Sequence, residues 1–252
     1  MLSNMTVKFP PPFVTAEETA KALKNHGYVV LNPQQSANVL GTSAIEFTPW
    51  LQTWNDLPPD AYLKDGGRYR SRRHSCFMVN DQQVTQTEHR AHWQPVEYNA
   101  LHGGMQRLFE PMSSKLVQSA AWTTLLGKLG QLCATLKPET ANWFVEAHQF
   151  RIDTTDGIGR PTPEGAHRDG VDFVAVILIA RDNIKGGETR VFDVDGPAGQ
   201  RFTMTEPWTL LLLDDERVIH ESTPIQPLEG DFGYRDTLVL TFRAKAFQGE
   251  AV

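Results

Sequence analysis

The chain has 252 residues, a formal net charge of -6 at pH 7 and a sequence pI near 5.7. Nucleic-acid binding needs a clustered excess of Lys and Arg, so this acidic balance argues against nucleic acid as a partner, despite one basic cluster at Arg68 to Arg73. Hydrophobic residues make up 40% of the chain and charged residues 21%, which is the balance of a soluble globular protein with a sizeable core.

The elements predicted for the first part of the chain are mainly helical. Thr15 and Glu18 have the spacing of a capping box, which predicts a helix that ends at Gly27. The strand-like sequence YVVL follows, and later leucines are spaced as on helix faces. The predicted elements are a helix ending near His26, a strand over 28–31, a helix over 37–54 and one or two helices within 105–136.

The second part of the chain has a different pattern. Short apolar or alternating segments are separated by Gly, Pro and Asp at intervals typical of an antiparallel sandwich or barrel. The predicted strands cover residues 143–152, 173–180, 188–193, 208–213 and 237–243. We therefore expect one domain over residues 1–252, with a mainly helical flank and early strands over 1–140 and a β core over 141–246.

Two further features bear on the setting of the protein. The longest apolar run is far shorter than the ~20 residues that cross a bilayer, and the N-terminus lacks the basic start and apolar run of a secretory signal. The only cysteines, Cys76 and Cys133, are far apart in sequence, which favours a reducing compartment over a disulfide framework. We expect a cytoplasmic protein with no membrane partner and leave a homodimer open.

His167 and Asp169 lie two residues apart, just before a strongly apolar segment. Because residues i and i+2 of an extended chain share a face, an imidazole and a carboxylate can converge on one ion here. Such a pair is common by chance, and a loop His beside a turn-capping Asp is the alternative. His220, after a buried strand and an acidic turn, can complete a two-His, one-carboxylate triad that leaves one face of an iron ion open.

Arg235 begins the next apolar segment, 15 residues beyond His220. A guanidinium group can hold a carboxylate through two parallel hydrogen bonds, which suits the binding of a dicarboxylate cosubstrate. A surface arginine at a strand edge is the alternative for this residue taken alone.

Taken in order, H-x-D, GGET, a tryptophan-led strand with a D-D-x-x-V-x-H turn, and Y-R-D before an apolar strand resemble the Fe(II)- and 2-oxoglutarate-dependent dioxygenases. In particular, the pattern looks like that of the bacterial subfamily with the free L-amino-acid hydroxylases, such as L-isoleucine 4-hydroxylase. It implies an α+β fold: a double-stranded β-helix, or jelly-roll, core with flanking N-terminal helices. It also implies Fe(II), 2-oxoglutarate and O2 as cofactor and cosubstrates, with His167, Asp169 and His220 as catalytic iron ligands and Arg235 as the 2-oxoglutarate anchor.

Weaker parts of the resemblance concern the substrate. The segment HQFRID matches an HQ-x-R segment of the subfamily and points to Gln149 and Arg151, which share one face of a predicted strand. They are expected to contact substrate or cosubstrate, or to form a strand-face network instead. Arg72, in an arginine-rich segment, is a candidate for binding a substrate carboxylate. By contrast, the paired Asp214 and Asp215 are expected to serve a turn.

The resemblance implies hydroxylation of a small substrate, such as a free aliphatic L-amino acid like isoleucine, leucine or methionine. Fold and motifs do not determine the substrate, so the same chemistry on another metabolite or on a peptide side chain stays open. A non-catalytic jelly-roll binding or stress-response protein with a vestigial metal site is the third alternative.

Overall fold

The computed structural model describes residues 9–80 and 83–249. The first eight residues, which carry most of the segment considered as a secretory leader, lie outside this part of the chain. A seven-stranded antiparallel sheet, here called the major sheet, forms the centre of the fold. From edge to edge, its strands are β1 (Tyr28–Leu31), β9 (Leu210–Asp214), β5 (Phe173–Asp182), β12 (Tyr234–Arg243), β4 (Trp143–Asp153), β2 (Arg70–Val79) and β3 (Val84–Gln86).

Two smaller antiparallel sheets, here called the minor sheets, complete the β core. They consist of a three-stranded sheet, β10 (Val218–Ser222), β7 (Thr189–Asp193) and β8 (Gly199–Phe202), and a two-stranded ribbon, β11 (Ile225–Pro227) and β6 (Ile184–Gly186). One cavity has walls from both the major sheet and β10, so the two layers face each other across it. The expected α+β fold with a jelly-roll core is confirmed.

The helices pack mainly on the outer face of the major sheet. They are α1 (Thr19–His26), α2 (Pro33–Leu40), α3 (Ala44–Phe47), a 3₁₀ helix (Thr48–Trp54), α4 (Ser114–Val117) and α5 (Ala120–Leu136). In β12, Leu238, Leu240 and Phe242 belong to the large apolar core shared with these helices, whereas Val239 and its alternate neighbours line the cavity. The period-2 alternation of a strand thus separates a helix face from a cavity face.

The single helix predicted over 37–54 is wrong. The helix ends at Gly41, which adopts a left-handed φ of 65°, and the chain restarts at a capping box in which Ser43 and Glu46 bond reciprocally. The Ser43 amide donates to the Glu46 carboxylate at 2.8 Å, and the Ser43 hydroxyl accepts from the Glu46 amide at 3.3 Å. A cap and a left-handed glycine between two apolar stretches therefore override the continuous apolar pattern.

The five strands predicted for the second part of the chain can be compared directly with the observed ones. These five strands and the strand over 28–31 all occur, with ends that coincide or differ by up to three residues. The ten-residue β2 was not among the predicted strands, although it contains most of the arginine-rich segment. Five strands of three to five residues, β3, β6, β8, β10 and β11, were missed as well. Segments this short carry little alternation, so their pairing in the folded sheet is what defines them.

Gly186, in the GGET segment, occupies a turn that a larger residue cannot enter without distortion. Its φ is 80°, and a Cβ at this position would lie 2.1 Å from the carbonyl oxygen of Pro224. We expect Gly186→Ala to lower the free energy of unfolding by more than ~1 kcal/mol, because left-handed strain adds to a backbone clash. Gly157→Ala is the matched control, since Gly157 has a φ of 78° with open space around it. Equal losses in denaturant titrations of the two variants would contradict a role for the Pro224 contact.

Candidate active site

A cavity of about 130 Å³ lies between the major sheet and the minor sheets. Its apolar wall comes from the inward faces of β4, β5 and β12, through Phe150, Ile152, Val176 and Val239. Most of the remaining lining is polar, with charged, amide, imidazole and hydroxyl side chains, so the cavity has one apolar wall and otherwise polar walls. This is the usual composition of a site for a small molecule.

His167, Asp169 and His220 come together at one side of this cavity. His167 and Asp169 lie in the loop before β5, and His220 lies in β10. The backbones of His167 and His220 pair reciprocally, each amide donating to the other residue's carbonyl at 3.0 and 2.9 Å. Two segments that are distant in sequence are therefore fixed side by side before any ion binds.

The side chains of this triad converge as metal ligands do. One ligand atom from each residue lies within 4.8 Å of the other two, and Asp169 Oδ2 is 3.7 Å from His220 Nε2. Two imidazoles and one carboxylate, with the cavity beside them, match the donor set of a non-haem Fe(II) centre with open coordination positions. The residues present therefore fit an iron ion.

The charges around the triad differ between its two histidines. Burial alone would lower the pKa of His167, but the carboxylates of Asp169 and Glu164 outweigh it and raise that pKa. Burial, together with the neighbouring His167, lowers the pKa of His220 well below its usual value. His220 is therefore a neutral imidazole near pH 7, which is the form that binds a metal.

Asp215 holds the segment that carries Asp169. Its buried carboxylate accepts hydrogen bonds from the amides of Asp169, Gly170 and Val171 at 3.0, 2.8 and 3.1 Å. A turn role was expected for the Asp214–Asp215 pair. In that turn, Asp215 orients Asp169, a candidate metal ligand. Gln94 adds a side-chain contact, because its amide donates to Asp169 Oδ1 at 3.1 Å.

We expect Asp215→Asn to weaken Fe(II) binding about 10- to 100-fold, the usual cost of losing a group that orients a metal ligand. An amide at this position offers one oxygen acceptor and directs its NH2 group towards backbone N–H donors. Anaerobic Fe(II) titration measures the effect. The neighbouring Asp214→Asn is the matched control, because Asp214 Oδ1 has no hydrogen-bond partner within residues 9–80 and 83–249. Unchanged affinity in Asp215→Asn would contradict the orienting role.

Arg235 lines the same cavity from the start of β12 and is almost fully buried. Its Nε atom has no hydrogen-bond partner in the described part of the chain. Burial and the nearby Arg181 lower the pKa of Arg235 to about 10, so the group remains charged at pH 7. A buried guanidinium with an unused donor fits a carboxylate ligand such as the far end of 2-oxoglutarate.

Gln149 and Arg151 lie on the wrong face of β4 for the expected contact with substrate. Both project to the helix side, where Gln149 donates to Thr53 at 2.8 Å and Arg151 forms an ion pair with Asp236 at 2.6 Å. The intervening residues of β4 line the cavity instead. The two residues share one face of β4, and their contacts are those of a strand-face network.

Arg72 does reach the cavity, and it is held there on three sides. Its guanidinium carbon lies 3.8 Å from the centre of the Phe109 ring and 4.3 Å from that of Phe150, and its Nη2 donates to His148 Nδ1 at 2.6 Å. The cavity is also lined by residues that were not among the predicted site residues: Arg70, Gln94, Arg107 and Glu164. Arg70 had a signal, because residues i and i+2 of a strand share a face, whereas Gln94, Arg107 and Glu164 lie in loops without a local pattern.

The chain belongs to the 2OG-Fe dioxygenase family, whose model matches residues 51–241. It is similar in structure to a bsmA homolog from Methylobium petroleophilum PM1, with 52% sequence identity, a TM-score of 0.89 and coverage of 95% of this chain and 97% of that one. No curated protein matches the chain at a significant level.

More distant structures share the fold. An Fe(II)/α-ketoglutarate-dependent dioxygenase, TqaL, is 18% identical, with a TM-score of 0.70 and coverage of 93% of this chain and 88% of TqaL. IDO from Bacillus thuringiensis is 16% identical, with a TM-score of 0.66 and coverage of 94% of this chain and 99% of IDO.

Family membership makes this protein an enzyme, a dioxygenase that uses Fe(II), 2-oxoglutarate and O2. The alternative of a non-catalytic binding protein with a vestigial site is therefore set aside. Among the helices of residues 9–80 and 83–249, none has the length and apolar character needed to cross a bilayer.

Proposed function

We propose that the enzyme hydroxylates a free aliphatic L-amino acid, with His167, Asp169 and His220 as iron ligands and Arg235 binding the distal carboxylate of 2-oxoglutarate. The observation that carries the proposal is the shared cavity. Three convergent ligand atoms and a buried guanidinium with an unused donor face the same space, beside an apolar wall.

When bound, the iron with 2-oxoglutarate and O2 supplies the oxidant for an unactivated C–H bond, and 2-oxoglutarate leaves as succinate and CO2. The residues of this chain position the cosubstrate, the metal ligand and the substrate. Arg235 orients the cosubstrate by its far carboxylate, and Asp215 keeps Asp169 turned towards the ligand position. Val176 and Val239 exclude water from the reacting end of the substrate and contact its aliphatic side chain.

Two features support an amino acid as the substrate. The apolar wall suits a short aliphatic side chain, since Phe150, Ile152, Val176 and Val239 line it. The buried Arg72 faces the same cavity and suits a carboxylate. Isoleucine, leucine and methionine combine both chemical groups in a molecule of suitable size.

We also propose that residues 1–252 form one domain. The division at residue 140 that the sequence suggests does not separate two folding units, because β1, β2 and β3 pair into the same major sheet as the later strands. The pairing of β2 with β4 extends over ten residues of each strand.

The test is to supply Fe(II), ascorbate and 2-oxoglutarate with each free proteinogenic amino acid and to measure succinate by mass spectrometry. We expect isoleucine, leucine or methionine to stimulate succinate formation and to gain one oxygen atom. Absence of stimulation across the panel would contradict the substrate class. Succinate formed slowly without any substrate would, in that outcome, still support the cosubstrate chemistry and direct the search to another metabolite or a peptide side chain.

A further inference from the structure

Three arginines besides Arg235 line the cavity, and we name Arg70, Arg72 and Arg107 the arginine pocket. All three are at least 95% buried. Arg70 Nη2, Arg72 Nε and Arg107 Nε have no hydrogen-bond partner in the chain as described, from residue 9 to 80 and from 83 to 249. Buried guanidinium donors without partners are costly, so an anion is the ligand that this pocket lacks.

The protein's own carboxylates satisfy this pocket only in part. Asp60 lies 2.7 Å from Arg70 Nε, but its nearest approach to Arg72 is 3.9 Å. Arg107 donates to the neutral amide oxygen of Gln94 at 3.0 Å. In the described part of the chain, only Arg70 of the three has a carboxylate within hydrogen-bond distance, so donors of Arg72 and Arg107 remain for an anion in the cavity.

A buried cluster of His74, His92, Glu146 and His148 lies behind Arg72. One ligand atom from each lies within 4.8 Å of the others, a spacing that also suits a metal ion. The Glu146 oxygens already accept from His92 at 2.9 Å and lie 3.4 Å from His74, and the guanidinium of Arg72 is bonded to His148. Because a cation bound here would lie against this guanidinium, we assign the cluster to the positioning of Arg72.

Glu164 contributes a negatively charged carboxylate to the lining of the same cavity. Its Oε2 atom is buried without a hydrogen-bond partner among the described residues, and its Oε1 atom lies 3.6 Å from His167 Nε2. Asp169 is the other carboxylate of the cavity lining, and it is assigned to the metal. Glu164 also attracts Arg107 and His167, but its unpaired Oε2 leaves an acceptor for a cation that enters with the substrate.

We infer that the enzyme recognises its substrate as a zwitterion, with the ammonium group bound by Glu164 and the carboxylate bound by the arginine pocket. This inference rests on the proposed function and adds the residues that bind the ammonium and carboxylate groups of the amino acid. A molecule that lacks either charged group leaves a buried partner unsatisfied, so the site discriminates by charge as well as by shape.

The first arm of the test uses the unmodified enzyme loaded with Fe(II) and 2-oxoglutarate, which makes it independent of the folding of any variant. L-leucine is compared with isocaproate, which lacks the amino group, and with isoamylamine, which lacks the carboxylate. We expect kcat/KM for stimulated succinate formation to fall at least about 10-fold for each analogue, the lower end of the cost of a lost charged hydrogen bond.

The second arm uses Glu164→Gln and Arg72→Gln. Glu164→Gln should raise KM for L-leucine and reduce the ratio of kcat/KM between L-leucine and isocaproate. The ratio between L-leucine and isoamylamine should persist. Arg72→Gln should show the reverse pattern. Glu206→Gln is the matched control, because Glu206 is exposed and does not line the cavity.

The outcomes separate the two proposals. If isocaproate and isoamylamine match L-leucine, the zwitterion inference is overturned and the proposed hydroxylation of an aliphatic substrate stands. If L-leucine, isoleucine and methionine all fail to stimulate succinate formation by an enzyme that binds Fe(II) and 2-oxoglutarate, the substrate class fails, and the inference fails with it. Charge selectivity that changes equally in both variants would overturn the separate roles of Glu164 and Arg72.

Discussion

Replacing His220 with alanine is expected to abolish substrate-dependent succinate formation, with a loss of more than about 100-fold. Loss of a group that merely orients a metal ligand commonly costs 10- to 100-fold, and His220 is proposed to bind the metal itself. Alanine would leave one imidazole and one carboxylate, which cannot hold the facial arrangement of three ligands. Succinate measured by mass spectrometry and iron measured after anaerobic loading are the two readouts.

The same substitution should leave the fold intact. His220 Nδ1 has no hydrogen-bond partner within the described residues, and Nε2 is 3.7 Å from the Asp169 carboxylate, beyond hydrogen-bond range. The backbone pairing with His167 survives in an alanine variant. His26→Ala is the matched control, since His26 is exposed at the end of α1. Normal iron content and turnover in His220→Ala would remove His220 from the proposed ligand set.

Replacing Arg235 with methionine should raise KM for 2-oxoglutarate about 10- to 150-fold. A hydrogen bond to a charged group contributes about 1.5–3 kcal/mol, and the guanidinium can form two with one carboxylate. Iron binding should be unchanged, because Arg235 is not among the three convergent ligands. Steady-state kinetics against 2-oxoglutarate measure the effect, and Arg201→Met, on the exposed strand β8, provides the control.

Arg235→Met should also be at least as stable as the unmodified protein. Arg235 is buried near another cation, Arg181, and its Nε is unpaired in the structure as described, so removing the charge relieves a desolvation cost. A higher midpoint of thermal unfolding with a weaker affinity for 2-oxoglutarate would identify a residue retained for binding. A large loss of stability would instead point to a structural role for Arg235.

Three long strands could be predicted from local patterns, since β4, β5 and β12 each carry enough residues for their apolar character to be visible. The similarly long β2 was not predicted, because it begins with polar and charged residues. The capping box expected at Thr15 is only partly formed, because the Thr15 amide and hydroxyl both bond to the Glu18 carboxylate and α1 begins at Thr19. The break at Gly41 was missed because the apolar spacing continues through it. Local periodicity is therefore informative inside an element and weak at its ends.

The sequence pattern did not show which face of β4 lines the cavity. The spacing of Gln149 and Arg151 correctly placed them on one side, but period 2 alone does not say which side is buried against what. Trp143, Val145 and Ala147 have the same parity and belong to the helix-packed core, a signal that the sequence already contained. The roles of Arg107 and Glu164 depend on tertiary convergence from separate loops, which no local pattern encodes.

The reciprocal backbone bonds between His167 and His220 also affect which ion the protein takes up. Because those bonds fix the backbones that carry both imidazoles, the proposed site offers the same donors in the same place to any divalent ion of similar size. The intrinsic affinity of such nitrogen and oxygen donors rises from iron towards nickel and copper. The supply of metals in the cell, rather than the pocket itself, would then decide whether a newly folded chain becomes an active oxygenase or a stable but inert metalloprotein.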